Sequence, residues 1–358
     1  MRICFFSGDI TRSGGTEKVT CQIASKLSNQ FDVSIISITE ENEVFYDLDQ
    51  NVKRFALFND KLNLKKQYLP LIFKLRRFLK EYHIDILINV DTILDMFAIP
   101  ATRFLSTKVV SWEHFNFYET LGKEYRMFIR KHLTRRADCI VTLTKEDKQY
   151  YLENVKNIKR IEQIYNPIEV SKNEMQYNVE SKIILSVGRI VKLKGFDYIL
   201  NIAEKINEKY PEWIWHIIGD GEELERLEND RRNRSINNVI FLGRKDNVNE
   251  YLTKAAMYVL TSKNEGCPLV ILEAKSCNLP VVSFVCRTGP AEMIKDNING
   301  YLVRCFDIDE MENKIVSLIE DSEKRKSFSE NAMWGTEEFA NDFVISKWVG
   351  ILESLNNL

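Results

Sequence analysis

The chain has 358 residues, 44% hydrophobic and 28% charged, with 50 Lys plus Arg against 52 Asp plus Glu. That length suits two globular domains of roughly 100–200 residues each, and the composition excludes disorder, collagen-like repeats and coiled coil. A formal net charge of −2 argues against a surface built to wrap nucleic acid, which would be basic. The balance is uneven along the chain: residues 1–170 carry 26 basic against 22 acidic side chains, and the remainder carries 24 against 30. The seven cysteines (Cys4, Cys21, Cys139, Cys267, Cys277, Cys286, Cys305) include no CxxC pair. They therefore signal neither a disulfide framework nor a zinc site, and those in apolar runs read as reduced, buried thiols. The apolar run before Ser7-Gly8-Asp9, Ile3 to Phe6, has only four residues, too few for a signal peptide. No run approaches the ~20 apolar residues of a membrane span, so the expected location is the cytoplasm.

Short apolar runs alternate with amphipathic segments throughout. Residues 3–7, 33–38, 84–89, 108–112 and 139–143 predict strands, β-branched and aromatic without polar alternation, as in strands buried on both faces. The spacing of Val19, Ile23, Ala24 and Leu27 predicts a helix over 17–29, and a second helical pattern covers 69–82. This is the βαβ rhythm of a parallel, doubly wound sheet. Near Tyr165-Asn166-Pro167-Ile168 the rhythm breaks, and the polar stretch 171–182 reads as a linker. It restarts with strands expected at 183–187, 215–218, 239–242, 257–261 and 281–284. The expected organisation is thus an α/β domain over 1–168 and a second over 169–340. A C-terminal helix in 341–358, carrying Phe343, Trp348, Ile351 and Leu352, is expected to pack back toward the first domain.

The strongest local motif runs from Glu265 to Glu273 through Gly266-Cys267-Pro268-Leu269, after the strand expected at 257–261. Pro268 suits the first turn of a helix reaching about Cys277, and the free N–H groups at such a start favour phosphate. Two carboxylates eight helical residues apart are separated by on the order of 12 Å. That is too far for a glycosidase pair at ~5–9.5 Å and suits gripping two ends of one elongated ligand. The competing reading makes both glutamates helix-surface charges.

Val187-Gly188-Arg189 through Lys194-Gly195 follows the first strand of the second half. Ligands bind at such C-terminal edges of parallel sheets, and two cations beside glycines suit a diphosphate; alone, they could equally be solvated. Gly14-Gly15-Thr16-Glu17 lacks the full GxGxxG pattern, so a nicotinamide or flavin fingerprint is unsupported, yet a phosphate or sugar can approach there. Gly219-Asp220-Gly221 is a weaker turn signal. Among the histidines, His114 in Trp112-Glu113-His114-Phe115 ends a predicted strand, whereas His83, His132 and His216 read as structural. Asp47 with Asp49 and Asp307 with Asp309 formally match a metal spacing but read as loop or cap residues. Neither metal nor cofactor is expected.

In this order these motifs resemble the retaining GT-B glycosyltransferases of glycosyltransferase family 4, the group 1 glycosyltransferases. Ile218-Gly219-Asp220-Gly221, Phe241-Leu242-Gly243 and Gly289-Pro290-Ala291-Glu292 fit the same pattern. The resemblance implies two Rossmann-like doubly wound domains facing across a cleft, with a nucleotide-diphosphate sugar, most often a UDP-sugar, held mainly by the second. It implies that Glu265 bonds donor-sugar hydroxyls, Glu273 the ribose, and Arg189 and Lys194 the diphosphate. Backbone at Gly188, Gly266, Cys267, Pro268 and Leu269 would line the donor, and Gly243 and Arg244 would meet the base. Gly15 would approach the donor from the first domain, and His114 would face the sugar and the reacting centre. Cys267 is a departure, because the family usually has an aromatic residue there.

Between Lys61 and Lys80 there are seven basic residues (Lys61, Lys65, Lys66, Lys74, Arg76, Arg77, Lys80) and no acidic one. A second stretch, Lys123 to Arg136, has six against Glu124. Two readings stand: peripheral contact with an anionic membrane at the inner face of the plasma membrane, or the solvated face of an ordinary helix. The first points to a lipid-linked glycan acceptor, as in capsule or O-antigen assembly. Two other functions compete with transfer: a nucleotide-sugar 2-epimerase of the same architecture, and a non-catalytic nucleotide-sugar or glycan-binding protein.

Overall fold

A computed structural model describes residues 1–59, 64–168 and 177–357. The chain divides into two compact units, Met1–Pro167 with Asn341–Leu358, and Ile168–Ala340. Of the stretch 171–182 expected to be a linker, 171–176 lie outside the described residues.

Among the described residues, the first unit holds β1 (Arg2–Ser7), β2 (Asp32–Thr39), β3 (Lys53–Phe58), β4 (Ile86–Val90), β5 (Lys108–Trp112), β6 (Cys139–Thr142) and β7 (Ile161–Gln163). They form one sheet in the order β3-β2-β1-β4-β5-β6-β7, every pairing parallel. Ile3, Cys4, Phe5 and Phe6 of β1 are all fully buried, as the unbroken apolar run demands of a central parallel strand. The first helix is Gly15–Leu27, two residues earlier than its apolar spacing predicts, and the second is Leu64–Glu81. The order reverses between β1 and β4, which opens a crevice beyond their C-terminal ends.

The second unit repeats the plan with β8 (Ile183–Val187), β9 (Ile214–Ile218), β10 (Val239–Gly243), β11 (Met257–Leu260), β12 (Val281–Phe284) and β13 (Gly300–Val303). Their order is β10-β9-β8-β11-β12-β13, again parallel throughout, with the reversal between β8 and β11. Its core gathers Ile184, Leu200, Trp215, Ile217 and Phe284. The strands β3, β7 and β13, which the apolar pattern does not reveal, lie at the sheet margins. Edge strands can be short or less apolar: β3 buries only Leu57, and β7 has three residues; β13 is apolar but only four residues long.

The terminal helix Asn341–Asn356 belongs to the first unit. It buries Val344, Trp348, Ile351, Leu352 and Leu355, with the Trp348 ring edge-on to Trp112 at 5.0 Å. Gln22 Nε2 donates to Asn341 Oδ1 at 2.9 Å, joining this helix to the first.

Just past β5, Glu113 is fully buried and accepts from Arg130 Nε at 2.7 Å, Arg130 Nη2 at 3.1 Å, Tyr151 Oη at 2.7 Å and Thr92 Oγ1 at 3.0 Å. Burial by itself raises the carboxyl pKa, but the Arg130 guanidinium outweighs it and holds Glu113 down to about 2. Arg126 is likewise turned inward onto both oxygens of Asp91, at 2.9 and 2.7 Å. Two of the six cations in the second basic stretch are therefore internal counter-ions. Removing one partner of a buried pair strands the other charge, so Arg130→Met should cost about 3–5 kcal/mol in urea unfolding, and the double variant with Glu113→Gln should recover part of it. The folded carboxyl has the lower pKa, so its contribution is complete above about 4.5 and is lost as pH falls toward 2.

Candidate functional site

At the C-terminal edge of the second sheet, five loops are stitched to one another by backbone hydrogen bonds. The loop after β8 is tied to β9 by Gly188 N on Ile218 O at 3.0 Å and Ile190 N on Asp220 O at 2.8 Å. It meets the loop after β11 through Lys263 N on Leu193 O at 2.8 Å. Gly219 N reaches Gly243 O at 3.0 Å, and Glu265 N reaches Arg287 O, beyond β12, at 2.7 Å. Two glycines permit this closeness. Gly195 has φ +65°, and a Cβ there would lie 2.2 Å from Thr261 O; Gly219 has φ +148°, and its Cβ would lie 1.9 Å from Gly188 O. No side chain fits at either.

This stitching brings Lys194 Nζ to 2.6 Å from Glu265 Oε1, a charge-assisted contact across 71 residues of sequence. Arg189, on the same loop as Lys194, is exposed. Thr288 Oγ1 donates to Gly266 O at 2.8 Å, and its backbone N–H donates to Glu265 O at 3.0 Å, fixing the glutamate loop. The helix Leu269–Ser276 follows, with Pro268 at its N-cap (φ −69°) and no side chain capping the start. Pro268 thus precedes the helix and does not occupy its first turn, because its ψ of 97° is extended. Residues 265–268 are not helical either, so the 12 Å helical estimate does not describe Glu265 and Glu273. Cys267 is buried, Glu273 is half-buried on the helix, Gly243 ends β10, and Arg244 beyond it is exposed.

In the first unit, Gly15 opens its helix behind Gly14, again without a side-chain cap. His114 lies two residues beyond β5, buried, its ring 4.1 Å from that of Trp112. Burial takes its pKa down to about 3 against the opposing pull of Glu113, so the imidazole is neutral at neutral pH, and its buried Nε2 has no hydrogen-bond partner among the described residues.

Two further residues carry signals that appear in the structure. Asp91, directly after β4, has φ +94° and ψ 130°, a region nearly reserved for glycine and costly for other residues. The two Arg126 bonds and a bond from Ile93 N at 3.1 Å hold it there. Lys275 is fully buried, and its Nζ is without a partner among the described residues. Its spacing of four from the buried Ile271 is the periodic signal that places it on the inner face of the helix. Asp307, by contrast, caps Glu310 N as expected.

Comparison with known proteins now identifies the class. Residues 168–333 match the family described as Glycosyl transferases group 1, and residues 13–172 match Glycosyltransferase Family 4. An uncharacterized glycosyltransferase of Haemophilus influenzae is 35% identical over 353 residues, spanning 98% of this chain and 99% of its own. A Campylobacter jejuni N-acetyl-D-galactosaminyltransferase, named for a diNAcBac-PP-undecaprenol glycan, is 28% identical and spans 100% and 99% of the two chains. The solved structure of Anabaena HepE with UDP-glucose superposes with a TM-score of 0.81 at 18% identity, covering 98% and 99%. Two parallel, doubly wound units of this kind define a GT-B glycosyltransferase fold. The chain belongs to the group 1 glycosyltransferases of family 4.

The buried amine of Lys275 weighs on stability. Burial, with Lys295 adding repulsion, lowers its pKa from the ordinary 10.5 to about 7. The unfolded chain therefore binds the extra proton between those values, and folding is penalised most at and below about pH 7. Lys275→Met should stabilise the protein by on the order of 2–4 kcal/mol at neutral pH. The gain should fade toward pH 10.5, which urea midpoints at neutral and alkaline pH will show.

Proposed function

We propose that this glycosyltransferase is a retaining enzyme that moves a hexose or N-acetylhexosamine from a UDP-sugar to a glycan or lipid-linked glycan in cell-surface polysaccharide synthesis. The observation that carries the reading is the contact between Lys194 and Glu265 at the switch point of the second sheet, with Arg189 on the same loop. An ammonium has three donors, so Lys194 can hold Glu265 and a phosphate oxygen together. In this reading Glu265 accepts from donor-sugar hydroxyls and Glu273 from the ribose. The uncapped helix start at Leu269 and the cations of Arg189 and Lys194 receive the diphosphate. Gly188, Gly266, Cys267, Pro268 and Leu269 present backbone to the donor, and Gly243 and Arg244 serve the base.

As the bond from the anomeric carbon to the diphosphate oxygen breaks, negative charge accumulates on the leaving group. Cations and N–H dipoles already fixed in place stabilise that charge more than they stabilise the ground state. The leaving phosphate oxygen then accepts the acceptor hydroxyl's proton, on the face where the new bond forms, so the anomeric configuration is kept. Neutral His114 is able to serve as a hydrogen-bonding partner and not as a charge. The Campylobacter relative supports an N-acetylhexosamine donor and a lipid-linked acceptor, and the HepE complex supports a uridine nucleotide. The reaction would take place at the cytoplasmic face of the plasma membrane.

A screen of UDP-sugars should find one from which UDP is released slowly without acceptor and rapidly with it. With that donor, Arg189→Ala and Lys194→Ala should each lower kcat/KM on the order of 10- to 100-fold, the worth of one charge-assisted bond. Glu265→Ala should lose transfer while keeping most of its affinity for free UDP. An isomerised sugar without UDP release would replace transfer by epimerisation, and binding without turnover would reduce the protein to a sugar-nucleotide binder.

A further inference from the structure

The helix Leu64–Glu81 of the first unit has two faces that follow from its spacing. It breaks at Gln67 (φ −112°, ψ 15°), and Pro70 then falls in the first turn of the regular part, where its missing N–H breaks no helical bond. Leu71, Ile72, Leu75, Phe78 and Leu79 are buried against Phe6, Ile36 and Leu87 of the sheet. The opposite face bears Leu69, Phe73, Arg77 and Lys80, at intervals of four, four and three. Leu69 is 61% and Phe73 67% exposed. A face turned from the core is ordinarily polar; this one sets large apolar tips among cations.

A second element adds to it. Phe104 is 87% exposed, the most exposed large apolar side chain among the described residues, and sits at φ +63°. Arg76 Nη1 donates to Ala101 O at 2.8 Å and Arg103 O at 2.7 Å, tying that turn to the helix. The Arg103 guanidinium stands 4.8 Å from the Phe104 ring. Not every cation of the stretch is free to act: Lys74 Nζ turns back to Leu57 O at 2.9 Å, and Lys61 lies outside the described residues. Lys66, Arg77, Lys80 and Arg103 are exposed. The carboxylate of Glu81 approaches Arg77 only to 3.7 Å, with both side chains open to solvent, a pairing too weak to neutralise the face.

We propose that this face is a docking surface for an anionic lipid bilayer. Leu69, Phe73 and Phe104 enter the interface, and Lys66, Arg77 and Lys80 meet the headgroups. Charge complementarity selects this occupant: residues 61–80 carry seven cations and no carboxylate, and apolar tips ringed by cations are the pattern of a helix lying in the membrane plane. No described helix is long and apolar enough to cross a membrane. The helix Tyr125–His132 is not part of the charged site, since its Arg126 and Arg130 are spent on Asp91 and Glu113. This inference rests on residues that the donor reading does not use.

Flotation of the full chain with phosphatidylcholine vesicles, with and without phosphatidylglycerol, tests it. The protein should float with the anionic vesicles at low salt, stay behind with neutral ones, and be released as salt is raised. The triple variant Lys66→Glu, Arg77→Glu, Lys80→Glu should lower partitioning on the order of 100-fold, and Phe73→Ser with Phe104→Ser about tenfold or more. Leu152→Ser, at an exposed apolar residue elsewhere on the unit, should change nothing. Phe73→Trp reports insertion without removing the apolar tip, its emission moving to shorter wavelength on anionic vesicles. Absence of flotation at low salt, unchanged partitioning of both multiple variants, or an unmoved Trp emission would overturn the proposal. Thermal unfolding and UDP release of the surface variants should match the parent, so a chain that floats but releases no UDP keeps the surface and loses the donor reading.

Discussion

Parallel strands all end at the same edge of their sheet, and almost everything distinctive about this chain follows from that constraint. Each βα loop must leave from that edge, so residues far apart in sequence are delivered to it together. In the second unit the strand order reverses between β8 and β11, and the loops after these two strands are free to approach one another. Gly195 and Gly219 complete the approach by admitting a carbonyl where any side chain would clash. The contact of Lys194 with Glu265 is therefore a product of sheet direction and two missing Cβ atoms before it is a matter of charge.

The two units handle buried charge in contrasting ways. Beyond β5, Glu113 is enclosed and saturated by Arg130, Tyr151 and Thr92, so it has no capacity left for a ligand and acts as an internal strut. Lys194 remains partly exposed while it holds Glu265, which leaves donors for an incoming anion. The same chemistry, a cation on a carboxylate, is structural when sealed and available when half-open. Asp91 stands between these cases: it is bound by Arg126 and kept in a backbone conformation that only such bonds sustain.

The exposed surface follows the same economy of elements. The helix Leu64–Glu81 spends one face on the sheet and keeps cations and aromatic rings on the other. The membrane contact and the donor chemistry proposed above would use separate residues, the one on this helix and the other on the second sheet.

Much of the fold is legible in the sequence. The runs at 183–187 and 281–284 predict β8 and β12 to the residue, because a strand buried on both faces must be apolar without interruption. The margins β3 and β7 are not legible, since a strand with fewer neighbours can be short or polar. At the candidate site, Arg189, Lys194 and Glu265 stand out in the sequence because loops beside glycines carry their charges, and Glu273 because it lies eight residues beyond Glu265. The inward turn of Arg126 and Arg130 had no such mark: in a basic stretch, charge alone does not say which side chains find a buried carboxylate. By itself, the sequence determined the parallel α/β class and the residues that punctuate it, because local periodicity and glycine placement act over a few residues. Only the tertiary structure decided which charges pair, which are buried and which face solvent, because those depend on neighbours tens to hundreds of residues away.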